Sequence, residues 1–246
     1  MRTKTQWRLT ALGLTVALTA VGCRTTPGPK WHASPYPQAC TLVVVPFRNI
    51  SGAPGLDPLV VTDEFVTELN LVEGMKAIPV NQVLAKMSEL RMSDVASPQD
   101  ALVLSDALGA DGAIAGSVHR WDPYDPPVLA MTVLLYMRDD LQAARHDESF
   151  HVNPADLSRA GTSLDLQAAR PVKAQNELTR VFDAGDERVV ERMKTYVHRK
   201  HVDASPMGWR KIKTQRPFLR FVSYEVIGEL LEQENRRVGS GISKPN

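Results

Sequence analysis

The first 23 residues constrain the architecture most, because they cannot belong to the folded domain. Three basic side chains within residues 2–8 precede an uncharged, mainly apolar run from Leu9 to Val21, which ends at Gly22-Cys23. A membrane-spanning helix needs roughly 20 apolar residues, and this run of about 13 falls short of that length. We therefore predict a secretory signal over residues 1–22 that is absent from the mature protein.

Residues 20–23, Ala-Val-Gly-Cys, resemble the lipobox of bacterial lipoproteins, although Ala20 stands where leucine is usual. The resemblance implies cleavage between Gly22 and Cys23 and lipidation of the Cys23 thiol. Two or three acyl chains would then hold the chain stably on a membrane. The alternative is an ordinary secretory signal followed by a chance cysteine. In lipoproteins of this kind Arg24 implies the outer membrane, so the expected location is the cell envelope, on the periplasmic side of that membrane.

Charge and cysteine content narrow the expected partners. The signal carries three basic and no acidic residues of a chain whose net charge is +1, so the mature chain is slightly acidic. A global attraction to nucleic acid is therefore not expected. If the Cys23 thiol carries a lipid, Cys40 has no cysteine with which to pair. Cys40 directly precedes an apolar run, and we predict that it is a buried small hydrophobe.

A proline-rich stretch follows the signal. Four prolines between residues 27 and 37 disfavour a helix and favour extended backbone. The sequence predicts a lipidated cysteine and tether over residues 23–40, with a reach of about 50 Å at roughly 3.1 Å per residue. Such a leash keeps the domain near its membrane and disfavours a role that requires crossing the cell wall.

Residues 41–138 have the pattern of an α/β core. Thr41–Phe47 is a continuous apolar run typical of a strand buried on both faces. Val61, Phe65 and Leu69 recur at helical spacing. Residues 97–100, Ser-Pro-Gln-Asp, have the chemistry of a helix start, and residues 111–121 and 128–138 read as two strands of a hairpin. The expected fold class is α/β, a mixed sheet with packed helices.

Two segments of this core carry a family resemblance. Residues 44–52 (VVPFRNISG) and residues 108–118 (LGADGAIAGSV) resemble landmarks of the TolB N-terminal-like and CsgG-like domain group. That group includes secretion-pore lipoproteins, penicillin-binding-protein activators and periplasmic accessory proteins. The resemblance covers about residues 42–138 and implies the fold rather than a reaction centre. The chain lacks repeats for a TolB propeller, and residues 139–174 lack the alternation of pore-forming strands.

The C-terminal part is predicted to be mainly helical. An irregular connection is expected over residues 139–172, followed by a helical portion over residues 173–236 that packs on the core. Leu178, Val181 and Phe182 recur at helical spacing, as do apolar residues from Val189 to Val197. A flexible tail is expected over residues 237–246.

A basic segment is the strongest candidate for an exposed contact site. It combines Trp209 with five cations in a short stretch, which together could bind phosphate or carboxylate groups through charge-assisted hydrogen bonds. The alternative is a solvated charge run beside a helix. The cations are Arg210, Lys211, Lys213, Arg216 and Arg220.

Catalytic motifs are not found. The sequence has neither a G-x-S-x-G elbow nor a G-x-x-x-x-G-K-[ST] loop. Gly116-Ser117 lies inside an apolar strand pattern, and we predict a close-packing site there. His198 and His201 could share a helix face and bind a metal ion with a third ligand, but their basic neighbours favour a solvated helix end. Residues 146–151 contain metal-capable side chains without metal-site spacing. We expect no enzyme activity, no cofactor and no bound metal.

Together these patterns predict a lipid-anchored envelope protein that acts as a scaffold or assembly factor through protein contacts. Two alternatives stay open: a subunit of an oligomeric CsgG-like secretion pore, and a penicillin-binding-protein activator-like regulator of wall synthesis. The expected partners are the membrane, through the lipid, and an envelope protein. Self-association is also left open.

Overall fold

Six strands form one mixed sheet, as the sequence predicts for an α/β chain. A computed structural model describes residues 32–95, 97–137, 176–200, 205 and 207–240, all within one compact unit. The strands are β1 (Cys40–Val44), β2 (Arg48–Asn49), β3 (Met75–Ala77), β4 (Gly112–Asp122), β5 (Val128–Met137) and β6 (Asn176–Asp183). Their spatial order is β3-β1-β4-β5-β6, with β2 pairing β4 beyond the end of β1. The β1, β2 and β3 pairings are parallel, whereas β4-β5 and β5-β6 are antiparallel.

Five α-helices and a short 3₁₀ helix complete the described fold. The α-helices are α1 (Pro58–Leu69), α2 (Val80–Glu89), α3 (Pro98–Ala107), α4 (Glu187–Lys200) and α5 (Gln215–Ser240), and the 3₁₀ helix spans Gly208–Lys213. No described helix is both long and apolar enough to cross a membrane.

The predicted helix start at Ser97 is present in full. Ser97 Oγ accepts from the Asp100 amide at 3.1 Å, and Asp100 Oδ2 accepts from the Ser97 amide at 2.9 Å. This capping box satisfies two donors that the first turn of α3 leaves without helical partners. The helix ends at Leu108, after which Gly109 has φ +63°, the left-handed conformation that glycine adopts without a Cβ penalty.

One face of the sheet, here called the covered face, packs against α1, α4 and α5. Helix α5 is the centre of this layer, because its apolar residues are buried around most of its circumference rather than along one stripe. A helix with that pattern must lie inside the protein. The predicted apolar face of the C-terminal helix thus packs on its own domain, with Phe218, Phe221, Val222, Ile227, Leu230 and Leu231 all buried.

The opposite face of the sheet, here called the half-covered face, carries α2 and α3 alone among the described helices. Val83 and Met87 of α2 and Leu104 of α3 pack with Val43 and Tyr136 in a second, smaller apolar cluster. This cluster lies over β1 and the adjoining parts of β4 and β5. The outer halves of β4 and β5, together with β6, have no helix over them among the described residues.

The helical prediction for residues 176–183 is wrong, since these residues form β6. Eight residues of β6 pair in register with β5, including Phe182 opposite Leu129 and Thr179 opposite Thr132. Leu178 and Phe182, four residues apart, satisfy the period of a strand face as well as that of a helix. Val181, expected in the apolar stripe, lies on the other side of the strand and is 61% exposed.

Two predicted boundaries also move. Helix α5 continues to Ser240, so residues 237–240 belong to it rather than to a flexible tail, and Arg237 pairs with Glu234 one turn back. At the other end, Cys40 opens β1, and residues 32–36 make specific contacts with the domain, so the tether is shorter than predicted. The predicted signal, the Cys23 lipidation site and the connection 139–172 lie outside the described residues.

Candidate functional site

The basic segment predicted as an anion-binding site is largely paired within the protein. Arg216 Nε lies 2.8 Å from Glu64 Oε1, and Arg220 Nε lies 3.1 Å from Glu68 Oε1. Lys213 Nζ lies 3.2 Å from Asp125 Oδ1, in the loop between β4 and β5. Three of the five cations therefore already have carboxylate partners, and their charge is partly neutralised before any ligand arrives.

Three cations lie close to the Trp209 ring at the N-terminal end of this segment, and one of them comes from α4. The Arg210 guanidinium lies 5.7 Å from the indole centroid, Lys213 Nζ lies at 5.7 Å and Lys194 Nζ at 5.8 Å. These distances are within the range of cation–π attraction. Arg210, Lys211 and Arg216 are exposed, and of these Arg210 lies beside Trp209.

The partners of Arg216 and Arg220 are two buried carboxylates that the sequence analysis did not single out. Glu64 and Glu68 are 6% and 3% exposed on α1. Glu68 Oε2 also accepts from Lys200 Nζ at 2.7 Å, which ties the C-terminal end of α4 to α1. Burial lowers the pKa of Lys200, and burial followed by the nearby Glu68 charge raises the pKa of Tyr196, whose hydroxyl faces the same carboxylate.

This cluster has a structural role. A buried carboxylate is stable only when charges and donors compensate for its lost hydration, and here α4 and α5 supply them to the carboxylates of α1. Removing one partner would leave buried charge, so the cluster fixes how α1, α4 and α5 pack together. The sequence signal was weak, because Glu64 and Glu68 flank the apolar stripe of α1, where a glutamate normally faces solvent.

The half-covered face presents a second group of side chains, here called the open region: the polar residues Ser117, His119, Thr132 and Thr179, and the exposed apolar residue Val181. Ser117, Thr132 and Thr179 lie directly opposite one another on β4, β5 and β6. Thr132 Oγ1 lies 2.8 Å from Thr179 Oγ1 and 2.8 Å from His119 Nε2, which is itself 3.2 Å from Ser117 Oγ. A continuous row of hydrogen-bonding groups therefore crosses three strands. Alternation of polar residues within the apolar runs of β4 and β5 was the available signal.

A shallow cleft borders the open region where α3 begins over the sheet. Its volume is about 130 Å³, with Gly116, Ala115 and Leu134 as an apolar floor and with Arg48 and Ser97 among its polar lining residues. On the covered side of the sheet Gly116 makes room for Phe47, because an added Cβ would come within 2.1 Å of the Phe47 ring. The predicted close-packing role of Gly116 is confirmed.

The open region combines three hydroxyls with one imidazole. A serine hydroxyl beside an imidazole resembles part of a nucleophilic pair, which also needs a group to orient the base. Within the described residues no carboxylate hydrogen-bonds the other nitrogen of His119. Its hydroxyls and imidazole are suited to exchanging hydrogen bonds with a partner's polar groups.

The remaining predicted site residues fall in several places. Cys40 is buried in the core of the covered face, and burial raises its pKa to about 12, which suits the predicted structural role. His198 lies near the end of α4, whereas His201 and residues 146–151 lie outside the described residues. The part of the chain that the structure describes contains no group of three or more metal-capable side chains.

Comparisons with known proteins give likenesses in structure only. No protein-family model matches the sequence, and no curated protein matches it. Similar solved structures include the C-terminal domain of LpoB from Salmonella enterica, at 16% identity and TM-score 0.35, which covers 43% of this chain and 74% of that one. Lipoprotein GNA1162 from Neisseria meningitidis has 14% identity and TM-score 0.37, with coverage of 67% and 98%. The PelC dodecamer from Paraburkholderia phytofirmans has 10% identity and TM-score 0.33, with coverage of 83% and 92%. Values this low establish neither a family nor an activity for the chain.

Proposed function

We propose that this chain is a lipid-anchored accessory protein of the bacterial cell envelope, which regulates or assembles another envelope protein through direct, non-catalytic contact. The proposal combines the predicted lipid on Cys23 with the open region on the half-covered face. The open region is the observation that carries it. In this proposal residues 42–138, which resemble TolB N-terminal-like and CsgG-like domains, form the folded scaffold of the protein.

The short connection to the anchor supports a role close to the membrane. Because residues 32–36 pack on the domain, the distance from Cys23 to the domain is limited by the chain between Cys23 and His32, which spans at most roughly 30 Å when fully extended. A partner must therefore come within that distance of the lipid surface. Confinement of this kind raises the effective concentration of the domain for a membrane partner.

The geometry of β6 supports protein contact in the open region. Among the described strands β6 is an edge strand, so one side of its backbone is available to a further strand. Val181 adds an exposed apolar side chain beside Thr179, and apolar side chains next to satisfied polar groups are typical of transient interfaces. We propose that Trp209 and Arg210 form a second contact, with an anionic group of the partner. The other cations of the basic segment mostly face carboxylates within the protein.

Site-specific photocrosslinking in native membranes tests the proposal. A photoreactive residue replaces Val181 in the open region, and a matched control replaces Leu84, an exposed apolar residue of α2. We expect one defined adduct from position 181, none of the same mass from position 84, and loss of the adduct when Cys23→Ala removes the lipid.

The identity of the adduct distinguishes the alternatives. A wall-synthesis enzyme would identify the regulator as activator-like, whereas an adduct with another copy of this chain, combined with ion conductance of the extracted protein, would indicate a pore subunit. Equal adducts from positions 181 and 84, or adducts unaffected by Cys23→Ala, would refute an anchored protein that binds through the open region.

A further inference from the structure

The segment that enters the domain, residues 32–36, is held by contacts that fit it closely. We call it the N-terminal strap. The His32 ring lies 4.4 Å from the ring of Tyr224 and rests directly on α5 at Gly228. A Cβ at position 228 would come within 2.4 Å of His32 Cε1. A glycine in the middle of a helix is destabilising relative to alanine, and at Gly228 it makes room for the strap.

Backbone and side-chain hydrogen bonds hold the rest of the strap. The His32 carbonyl accepts from the Glu73 amide at 2.9 Å, and the Ser34 amide donates to the Glu73 carbonyl at 2.8 Å. The Tyr36 hydroxyl donates to Glu234, which also accepts from Asn176 and Arg237. Burial would raise the pKa of Glu234, but these donors, Arg237 first, hold it below its usual value.

The weak point of the strap is His32 itself. Its Nε2 is buried without a hydrogen-bond partner among the described residues, and a buried polar atom without a partner is destabilising. Burial lowers the pKa of His32. The facing charges are Arg199 and Lys200 of α4, which lower it further, and Glu232 of α5, which raises it, as does a hydrogen bond with the Tyr224 backbone.

We propose that the N-terminal strap is a releasable connector which sets the distance between domain and membrane anchor, and that acidification releases it. The proposal of a distance rests on the lipid anchor at Cys23. With the strap docked, the connection from Cys23 to His32 spans at most roughly 30 Å, and release back to Cys40 extends it to at most roughly 60 Å. Release therefore about doubles the maximal distance from the membrane anchor at which the domain can find a partner.

The direction of the pH effect follows from the docked environment, which favours neutral imidazole. The released strap has an ordinary histidine pKa of about 6.5, and the docked strap has a lower one. The released state thus binds more protons between these two values, so docking weakens as the pH falls through about 6.5 and stops weakening below the docked pKa. Between pH 7.5 and 5.5 the docking equilibrium changes by at most about tenfold.

Hydrogen exchange of the full chain tests the release. The Ser34 and Glu73 amides report docking, and the Val45 amide, which donates to Ile114 within the sheet, is the internal reference. After correction for intrinsic exchange rates, we expect several-fold weaker protection of Ser34 and Glu73 at pH 5.5 than at pH 7.5, with Val45 unchanged. Equal pH dependence of all three amides would overturn the proposal.

Two glycine substitutions distinguish release of the strap from unfolding of the domain. Gly228→Ala places a methyl group where His32 packs, so protection of Ser34 should fall at least about tenfold even at pH 7.5 because of the overpacking. Gly55→Ala is the matched control, since a Cβ there meets nothing within 4 Å. If Gly228→Ala also exposes Val45, Tyr36→Phe removes one strap hydrogen bond without adding bulk at α5. Full Ser34 protection in both variants would refute a releasable strap.

The reach is measured separately, on acylated full chain in lipid vesicles. Energy transfer between a dye in the bilayer and a dye on the domain should decrease in Gly228→Ala and at pH 5.5. Failure of the proposed anchor would abolish vesicle binding without altering the exchange results, whereas failure of the strap proposal would leave binding intact and the distance constant.

Discussion

The two faces of the sheet differ in how completely helices cover them. On the covered face, α1, α4 and α5 bury a continuous apolar core, and even the charged side chains of Glu64 and Glu68 are enclosed with partners. On the half-covered face, the described helices α2 and α3 bury only one end, and the open region exposes hydroxyls, an imidazole and Val181. The same strands thus contribute to stability on one side and, in the proposed function, to recognition on the other.

This difference follows from strand alternation. Successive residues of β5 point to opposite faces, so Met131 and Val133 enter the core while Thr132 lies in the open region. Antiparallel strands tolerate one solvated face, because their connections need not cross it with helices. Substitutions on the two faces should therefore affect stability and partner binding in opposite proportions.

The largest expected effect comes from the centre of the covered face. Phe221 is fully buried and makes edge contacts with the rings of Phe182 and Tyr196. Phe221→Ala should lower the free energy of unfolding by about 3–5 kcal/mol, because a cavity replaces the ring. Val181→Ala in the open region should change it by less than about 0.5 kcal/mol. Urea unfolding measures both, and equal losses would remove the distinction between the faces.

The buried charge cluster of the covered face should give the next largest effect. Glu68→Gln leaves the ammonium of Lys200, whose side chain is 7% exposed, without this carboxylate, and should cost about 3 kcal/mol. The double variant Glu68→Gln/Lys200→Met should recover most of that loss, since both charges are then absent. A double-mutant cycle by urea unfolding checks this, and additive losses would argue against direct coupling.

On the half-covered face, the helix start of α3 should contribute less. Ser97→Ala removes the side-chain oxygen that caps the Asp100 amide and should cost about 1 kcal/mol. Thermal or urea unfolding measures the change. A loss as large as that of Phe221→Ala would mean that the half-covered face contributes more to stability than its limited packing indicates.

The smallest stability effect is expected within the open region. Thr132→Val keeps the side-chain shape but removes the hydroxyl that faces His119 and Thr179. Unfolding free energy should change by less than about 0.5 kcal/mol, while the photocrosslinked adduct from position 181 decreases. Thr67→Val, an exposed hydroxyl on α1 that bonds the Asp63 carbonyl, is the matched control. An undiminished adduct in Thr132→Val would exclude this row of hydroxyls from the contact.

Local signals predicted much of the fold. The capping box at Ser97, the apolar stripe of α1 and the β4-β5 hairpin depend on neighbouring residues, so their patterns are visible in one dimension. Residues 176–183 were mistaken for a helix because Leu178 and Phe182 fit both periods. Only pairing with β5, across a segment that lies outside the described residues, decides in favour of a strand.

The candidate site was harder to predict than the fold. The sequence singled out Arg216 and Arg220 as exposed cations, but their carboxylate partners are about 150 positions away, a separation at which no local pattern operates. His119 and Thr179 likewise meet only through strand register. Residues 32–36 were predicted to belong to the tether, because nothing in their own composition indicates that Gly228 makes room for His32.

The sequence by itself determined the α/β class, the close packing at Gly116 and the burial of Cys40, because residue type and short-range periodicity suffice for these. It also carries the prediction of a lipid at Cys23, which depends on a short motif. Tertiary structure alone decided which charges are internally paired, which face of the sheet the described helices leave partly uncovered, and where the tether ends. Those properties depend on distances between residues far apart in the chain, and such distances exist only once the chain has folded.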